Sequence, residues 1–129
     1  MTAWTSDELK RIANEDELQI ASLRGDGTLR KFTTIWVVMV GDELYVRSVY
    51  GRGSDWFRGV QTRRAGHIRA GGVARDVTFV EETDPALNDA IDFHYRAKYA
   101  RYAASIIAAI TSPEARSATL RLVPRDAAA

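Results

Sequence analysis

The residues best suited to bind a ligand lie in one short stretch, between a predicted β-strand and a predicted helix. Arg47 and Arg52 can each offer several N–H donors to a phosphate, and Ser48 and Ser54 add hydroxyl groups. Ser54 is also a suitable N-cap, and the start of a helix leaves unpaired backbone N–H groups and a partial positive charge. The stretch therefore predicts a site for a small molecule that bears a phosphate. Neither a recognisable catalytic nucleophile nor a complete Walker motif accompanies it.

Arginine dominates the middle of the chain. Between residues 47 and 75 the sequence has seven arginines and a single carboxylate, Asp55, although the formal net charge of the whole chain is only +1. Guanidinium groups recognise phosphate in a planar, bidentate way, which favours ligand binding, but a solvated arginine-rich face explains the pattern equally well. Nucleic-acid binding is a weaker alternative, because the sequence lacks a recognition helix or an interleaved aromatic and basic strand.

Length and composition predict one globular domain over residues 1–129, with residues 124–129 as a frayed tail. Hydrophobic residues make up 46% and charged residues 27% of the 129 residues, as in ordinary globular proteins. The apolar runs are too short to span a membrane, and the N-terminus does not resemble a secretory signal. With no cysteine, thiolate chemistry is excluded, and His67 and His94 stand apart, so no metal site is predicted. We expect a cytoplasmic protein.

Apolar and β-branched runs between turn signals predict about six antiparallel strands. Gly41-Asp42 and Gly71-Gly72 are typical of tight hairpins. The stretch from Phe32 to Val40 has no polar alternation after Thr34, which favours one strand buried on both faces. The strands are expected near residues 18–23, 32–40, 44–49, 67–69, 73–81 and 118–123.

Helices are predicted before, within and after the run of strands. The segment Thr5-Ser6-Asp7-Glu8 has the pattern of a capping box and begins a short N-terminal helix. A short inserted helix begins after Ser54, and a longer C-terminal helix occupies residues 84–112. On its exposed side, Asp92 and Arg96 form an i,i+4 pair. The fold class is thus mainly β with helices (α+β), and we expect a small β-barrel.

Two sets of residues resemble known families. The run Ile35-Trp36-Val37-Val38, followed by Val40-Gly41-Asp42-Glu43-Leu44-Tyr45-Val46-Arg47-Ser48 and by Trp56, resembles the split-barrel flavin-binding fold of pyridoxamine-phosphate-oxidase-like proteins and deazaflavin-dependent nitroreductases. A second set of residues, spread over nearly the whole chain, resembles DUF2255, a bacterial family of unknown function. It comprises Thr34-Ile35-Trp36, Tyr45-Val46-Arg47-Ser48, Trp56, Ile91-Asp92, Tyr95, Lys98-Tyr99 and Thr119-Leu120-Arg121-Leu122.

The split-barrel resemblance implies a dimeric oxidoreductase that uses FMN or the deazaflavin F420. In this interpretation the cofactor phosphate lies against Arg47, Ser48, Arg52 and Ser54, in a loop bent by Gly51 and Gly53. Thr33 and Thr34 donate to the ring edge, Trp36 or Tyr50 stacks on the ring, and Trp56 forms a pocket wall. Replacing Arg47 or Arg52 by alanine is then expected to weaken such a ligand by about 1.5–3 kcal/mol.

Each of these roles has a structural alternative. Trp36 in a β-rich run is more often ordinary core, and Trp56 more often anchors an amphipathic helix. Tyr95, Tyr99 and Tyr102 form an aromatic stripe that suits a core or a dimer interface. The alternative for the whole chain is a barrel without a cofactor that acts as a binding or interaction module.

Overall fold

Seven antiparallel strands and five α-helices make up the computed structural model, which describes residues 3–125. The strands are β1 (Glu17–Ser22), β2 (Thr33–Trp36), β3 (Val38–Val40), β4 (Glu43–Arg47), β5 (Ala65–Ala70), β6 (Val73–Glu81) and β7 (Thr119–Pro124). The helices are α1 (Ser6–Ala13), α2 (Asp55–Thr62), α3 (Pro85–Lys98), α4 (Ala104–Ile110) and α5 (Pro113–Arg116), with a 3₁₀ turn at Gly51–Gly53. None of the helices in this part of the chain has the length and apolar character needed to cross a bilayer.

The strands form one sheet that closes almost completely on itself. Their order is β2-β1-β5-β6-β7-β4-β3, and every neighbouring pair is antiparallel. The two strands at the ends of this order, β2 and β3, are consecutive in the chain and are separated only by Val37. The ends of the sheet therefore lie side by side, and the prediction of a split barrel of the α+β class is confirmed.

The break at Val37 was not expected, because residues 32–40 were predicted as one strand. The Val37 N–H donates to the Tyr99 hydroxyl over 3.1 Å, and its carbonyl accepts from Lys98 Nζ over 2.7 Å. Side chains of the α3 region thus replace the strand partners of Val37, and the ladder stops there. Burial lowers the pKa of Lys98 to about 8. The prediction of burial on both faces was also wrong for β2, since Thr34 is exposed.

The barrel interior and its outer face against α3 form two separate hydrophobic clusters. Alternation along β4 assigns Leu44 and Val46 to the interior cluster and Tyr45 to the outer one. In the outer cluster Tyr45 packs with Val38, Ile91, Tyr95, Tyr99 and Ile110. Because α3 packs on β3 in this way, it also brings its polar residues to the end of β4.

The helical part after β6 differs from the single long helix predicted. The Asp84 carboxylate accepts from the Leu87 N–H and begins α3 as expected, but α3 ends at Lys98. Tyr99 then packs inward, with its ring stacked on Trp36 at 3.8 Å, so the chain leaves the helical path before α4 begins.

Both ends of the described chain are held in place. The capping box of α1 is confirmed, since Thr5 and Glu8 exchange hydrogen bonds of 2.9 and 3.1 Å. Strand β7 continues to Pro124, which pairs with Val77, so the predicted frayed tail does not begin at residue 124. Residues 126–129 of that predicted tail lie outside the described residues.

Candidate functional site

A cavity of about 390 Å³ lies where β2 meets the chain around α2 and α4. Six of the predicted site residues line it, namely Thr33, Thr34, Trp36, Arg47, Tyr50 and Trp56. The rest of its lining is apolar and was not predicted: Ile35, Val49, Ile106 and Ile110. Cavities of this size and character are typical of small-molecule sites.

Two tryptophans contribute to this lining. Trp36, at the end of β2, stacks on Tyr99 with an interplanar angle of 3°, which fixes the plane of the indole beside the cavity. Trp56, in the first turn of α2, is half-buried and meets Phe57 edge-on. Each of these two indole rings therefore packs against another aromatic residue, which helps to hold it in place beside the cavity.

Arg47 reaches the cavity from the end of β4, but its guanidinium group is fully engaged within the protein. Nε donates to Thr119 Oγ1 over 2.9 Å, and Nη2 donates to the side-chain and backbone oxygens of Asn88 over 2.9 and 3.1 Å. Nη1 donates to the Asp92 carboxylate and to the Ile110 carbonyl. These five bonds use all five guanidinium N–H groups. A phosphate could therefore bind Arg47 only by displacing one of these partners, and its role as a phosphate ligand stays a prediction.

Asp92 is buried, and its predicted pairing with Arg96 on an exposed face was wrong. One carboxylate oxygen binds Arg47, and the other accepts from Arg116 Nη1 over 2.7 Å. The hydrogen bonds to Asp89 and Asp92 raise the pKa of Arg116. The Asp92 carboxylate thus pairs with a cation in the core. Burial of a carboxylate is tolerated when it has such a partner.

The remaining predicted residues lie beside the cavity rather than in its lining. Ser48 and Ser54 hydrogen-bond to each other, with their Oγ atoms 2.7 Å apart, and the Ser54 side chain does not cap α2. Gly51 has a φ of +80°, and a Cβ there would lie 2.5 Å from the Glu114 side chain. Gly51 is thus explained by backbone geometry. Gly53 ends the same 3₁₀ turn.

Arg52 is also engaged, in an ion-pair network on the outside of the barrel. Its Nη1 lies 2.5 Å from one carboxylate oxygen of Glu81 and 2.8 Å from the Ser117 carbonyl. Arg64 Nη2 binds the other Glu81 oxygen over 2.9 Å. The hydrogen bond from Arg52 is the main reason that the pKa of Glu81 lies below its usual value. Arg52 and Arg64 together leave Glu81 with little capacity for a further cation.

The residues that hold Arg47 were not predicted from the sequence. Asn88, Asp92 and Thr119 come from α3 and β7, far from Arg47 in sequence. The available signal was an arginine placed between apolar residues of a predicted strand, since such a cation needs buried acceptors. It indicates that partners exist, but not which residues they are.

The barrel and its cavity place the chain in the split-barrel class, and solved structures share this fold. A conserved hypothetical protein from Mycobacterium tuberculosis matches with a TM-score of 0.71 and 10% identity, over 98% of this chain and 83% of that one. A putative pyridoxamine 5'-phosphate oxidase from Listeria innocua matches with a TM-score of 0.66 and 14% identity, over 92% and 90%. A protein named F420 reductase matches with a TM-score of 0.56 and 15% identity, over 90% of each chain.

Within this class the chain belongs to the DUF2255 family, described as an uncharacterized protein conserved in bacteria. The family match covers residues 8–122, which includes β1 to β6, most of β7, and all five helices except the start of α1. No curated protein matches the sequence. The resemblance to DUF2255 found in the sequence is therefore confirmed.

Proposed function

We propose that the cavity holds the ring system of a flavin or of the deazaflavin F420, and that the protein is an oxidoreductase of this cofactor class. The observation that carries the proposal is a cavity whose lining includes Trp36 and Trp56 together with Thr33 and Thr34 of β2. Solved proteins with the same fold support the choice of cofactor, since they include one named F420 reductase and one named FAD-binding protein.

The residues of the cavity suit a planar ring. Trp36, Ile35 and Ile110 provide flat or branched apolar surface, which favours an aromatic ligand over water. Thr33 and Thr34 offer hydroxyl groups that can donate to oxygen or nitrogen atoms at a ring edge. A bound flavin or deazaflavin supplies hydride or electron transfer from its own ring, so the chain's part is to orient the ring and exclude water.

The predicted phosphate ligands suit the cofactor less well than the ring site does. Arg47 has no spare N–H group, and Arg52 is paired with Glu81. This favours the second candidate function, a barrel without a cofactor that binds an uncharged aromatic molecule. The two functions share the cavity and differ in whether a redox-active ring occupies it.

We also propose that the protein acts as a homodimer. Tyr50 and Ile106 line the cavity and are 78% and 45% exposed in the single chain. A second subunit over these side chains would remove apolar surface from water and would shield a bound ring. This retains the dimer expected from the split-barrel resemblance.

The test begins with the absorption spectrum of protein purified from its native host, where a flavin or deazaflavin would be recognised by its visible band. Protein without a chromophore is then titrated with FMN, FAD and F420, with the melting temperature and tryptophan fluorescence as readouts. We expect one of the three to raise the melting temperature, because a ligand that binds only the folded state stabilises it.

A pair of variants locates the ring. Trp56→Leu removes one wall and is expected to weaken binding by up to about tenfold, the scale of an aromatic contact. Phe93→Leu changes an exposed aromatic residue of α3 that does not line the cavity, and should leave affinity unchanged. Protein from the native host that is colourless, and shows no shift with any of the three compounds, would contradict the oxidoreductase and support the binding module.

A further inference from the structure

A second cavity, of about 410 Å³, lies against α2 and is not part of the site described above. It is lined by Arg30, which precedes β2, and by Asp55, Arg58, Gly59 and Thr62 of α2. Two guanidinium groups thus face one carboxylate, and the cavity carries a net positive charge. The polar side chains of this lining are the two guanidinium groups, the Asp55 carboxylate and the Thr62 hydroxyl, and Gly59 contributes only backbone.

Arg30 is the unusual member of this group. Its Nε is buried and has no hydrogen-bond partner within residues 3–125. A buried donor without a partner is rare, because it has lost its water without compensation. In contrast to Arg47, whose guanidinium N–H groups are all engaged, Arg30 has an unpaired guanidinium donor.

Gly59 allows Arg30 to adopt this position. A Cβ at residue 59 would lie 3.0 Å from both Cδ and Nε of Arg30, and 2.6 Å from Ser22 Oγ. Ser22 Oγ is likewise buried and has no partner. Glycine therefore makes room for the guanidinium stem against the helix backbone, and two unpaired polar atoms converge at this point.

Arg58 can leave its present ion pair and bind an anion with little loss of stability. Its Nη2 lies 2.5 Å from Asp55 Oδ1, but the side chains of Arg58 and Asp55 are 65% and 95% exposed. An ion pair this exposed contributes little and exchanges readily with a stronger anion. A phosphate that enters the cavity would then meet Arg30 and Arg58 together.

We propose that this second cavity binds a phosphate group, and that the phosphate belongs to the molecule whose ring occupies the first cavity. The second part rests on the proposed function. Arg30 is three residues from Thr33, at most about 11 Å along an extended chain, and Asp55 is adjacent to Trp56. The linings of the two cavities are therefore close along the chain at two places, around the start of β2 and around the start of α2. Arg30 and Arg58, rather than Arg47 and Arg52, are the phosphate ligands.

The experiment compares FMN with riboflavin, which has the same ring but no phosphate, by calorimetric titration of the chromophore-free protein at low salt. Wild-type protein should bind FMN more tightly than riboflavin. Arg30→Gln should weaken FMN binding about tenfold or more and leave riboflavin binding unchanged, since it removes a charge-assisted contact. F420 and its phosphate-free chromophore form the same comparison for a deazaflavin.

Two further variants separate the specific contact from the overall charge. Asp55→Asn removes the competing carboxylate and should strengthen FMN binding. Arg63→Gln makes the same charge change as Arg30→Gln at a residue that does not line the cavity and donates to the Arg24 carbonyl, so it should leave FMN binding unchanged. Melting curves without ligand check that each variant is folded.

The outcomes distinguish this proposal from the proposed function. Equal binding of FMN and riboflavin, or equal losses in Arg30→Gln and Arg63→Gln, would overturn the phosphate site and leave the ring site standing. If no ring compound binds, the proposed function fails, and inorganic phosphate becomes the probe. A rise in melting temperature with phosphate that Arg30→Gln abolishes would then support the phosphate cavity, and no rise would overturn it.

Discussion

Arg47 shows how a single buried cation organises this protein. Its side chain is fully buried at the end of β4, and its partners come from α3, β7 and the end of α4. Its guanidinium also lies over the Tyr95 ring, 5.5 Å from the centroid. Because each of these elements supplies an acceptor, Arg47 fixes their relative positions, and its first role is structural.

Replacing Arg47 should therefore destabilise the fold before it affects any ligand. In Arg47→Met, Asn88 and Thr119 lose a donor, and Asp92 keeps only Arg116. We expect the free energy of unfolding to fall by about 3–5 kcal/mol, the usual cost of removing one partner of a buried pair. Arg52→Met is the matched control, with an expected loss within about 1 kcal/mol because that pair is partly exposed. Urea denaturation measures both, and equal losses would argue against a structural role for Arg47.

At the scale of elements, the junction between β2 and β3 depends on the end of α3. Tyr99 is buried, and its hydroxyl accepts from the Val37 N–H and donates to the Asp16 carbonyl over 2.5 Å. Burial raises the pKa of Tyr99, so the phenol stays protonated and able to donate. The same side chain supports Trp36 at the cavity wall. Tyr99 thus contacts both the junction between β2 and β3, at Val37, and the cavity wall, at Trp36.

Removing the Tyr99 hydroxyl should destabilise the junction between β2 and β3. Tyr99→Phe leaves the Val37 N–H and the Asp16 carbonyl without this partner, and we expect a loss of about 1–3 kcal/mol in unfolding free energy. Amide hydrogen exchange should be faster at Val37 than in wild-type protein, as measured by NMR. Tyr102→Phe is the control, because its hydroxyl lies 3.4 Å from Asp16 Oδ2 and contributes little. Unchanged exchange at Val37 in Tyr99→Phe would refute this role.

The elements that the sequence predicted well are those set by local pattern. The turn at Gly41 and the alternation of β4 follow from neighbouring residues, as does the capping box of α1. The break at Val37 depends on a contact 62 residues away, and the partner of Asp92 lies 45 residues away rather than at i+4. The split-barrel resemblance assigned Thr33, Thr34 and Trp36 to the ligand site, and all three line the cavity. Ile106 and Ile110 were not assigned to this site, because α4 reaches the cavity only after the unpredicted break that follows α3.

At the scale of the whole molecule, the arginine block between residues 47 and 75 is dispersed around the barrel. Arg75 pairs with Glu8 of α1 over 2.7 Å, and Arg69 lies over the Phe32 ring at 4.0 Å. The others pair with Asp55, Glu81 or Asp92, or donate to a backbone carbonyl. A run of cations in sequence thus becomes several small networks with acids from distant segments. Nucleic-acid binding therefore stays the weaker alternative, because these networks leave little continuous positive surface.

The proposed dimer would cover the exposed apolar side chains beside the first cavity, so substitutions at these side chains test it. If a second subunit covers Ile106, then Ile106→Lys places a charge in the interface and should convert a dimer to a monomer at micromolar concentration. Phe93→Lys is the control, because Phe93 is more exposed but lies on α3 and does not line the cavity. Sedimentation velocity measures both variants. A wild-type monomer that still binds a flavin would contradict the dimer and would mean that one chain forms a complete ring site.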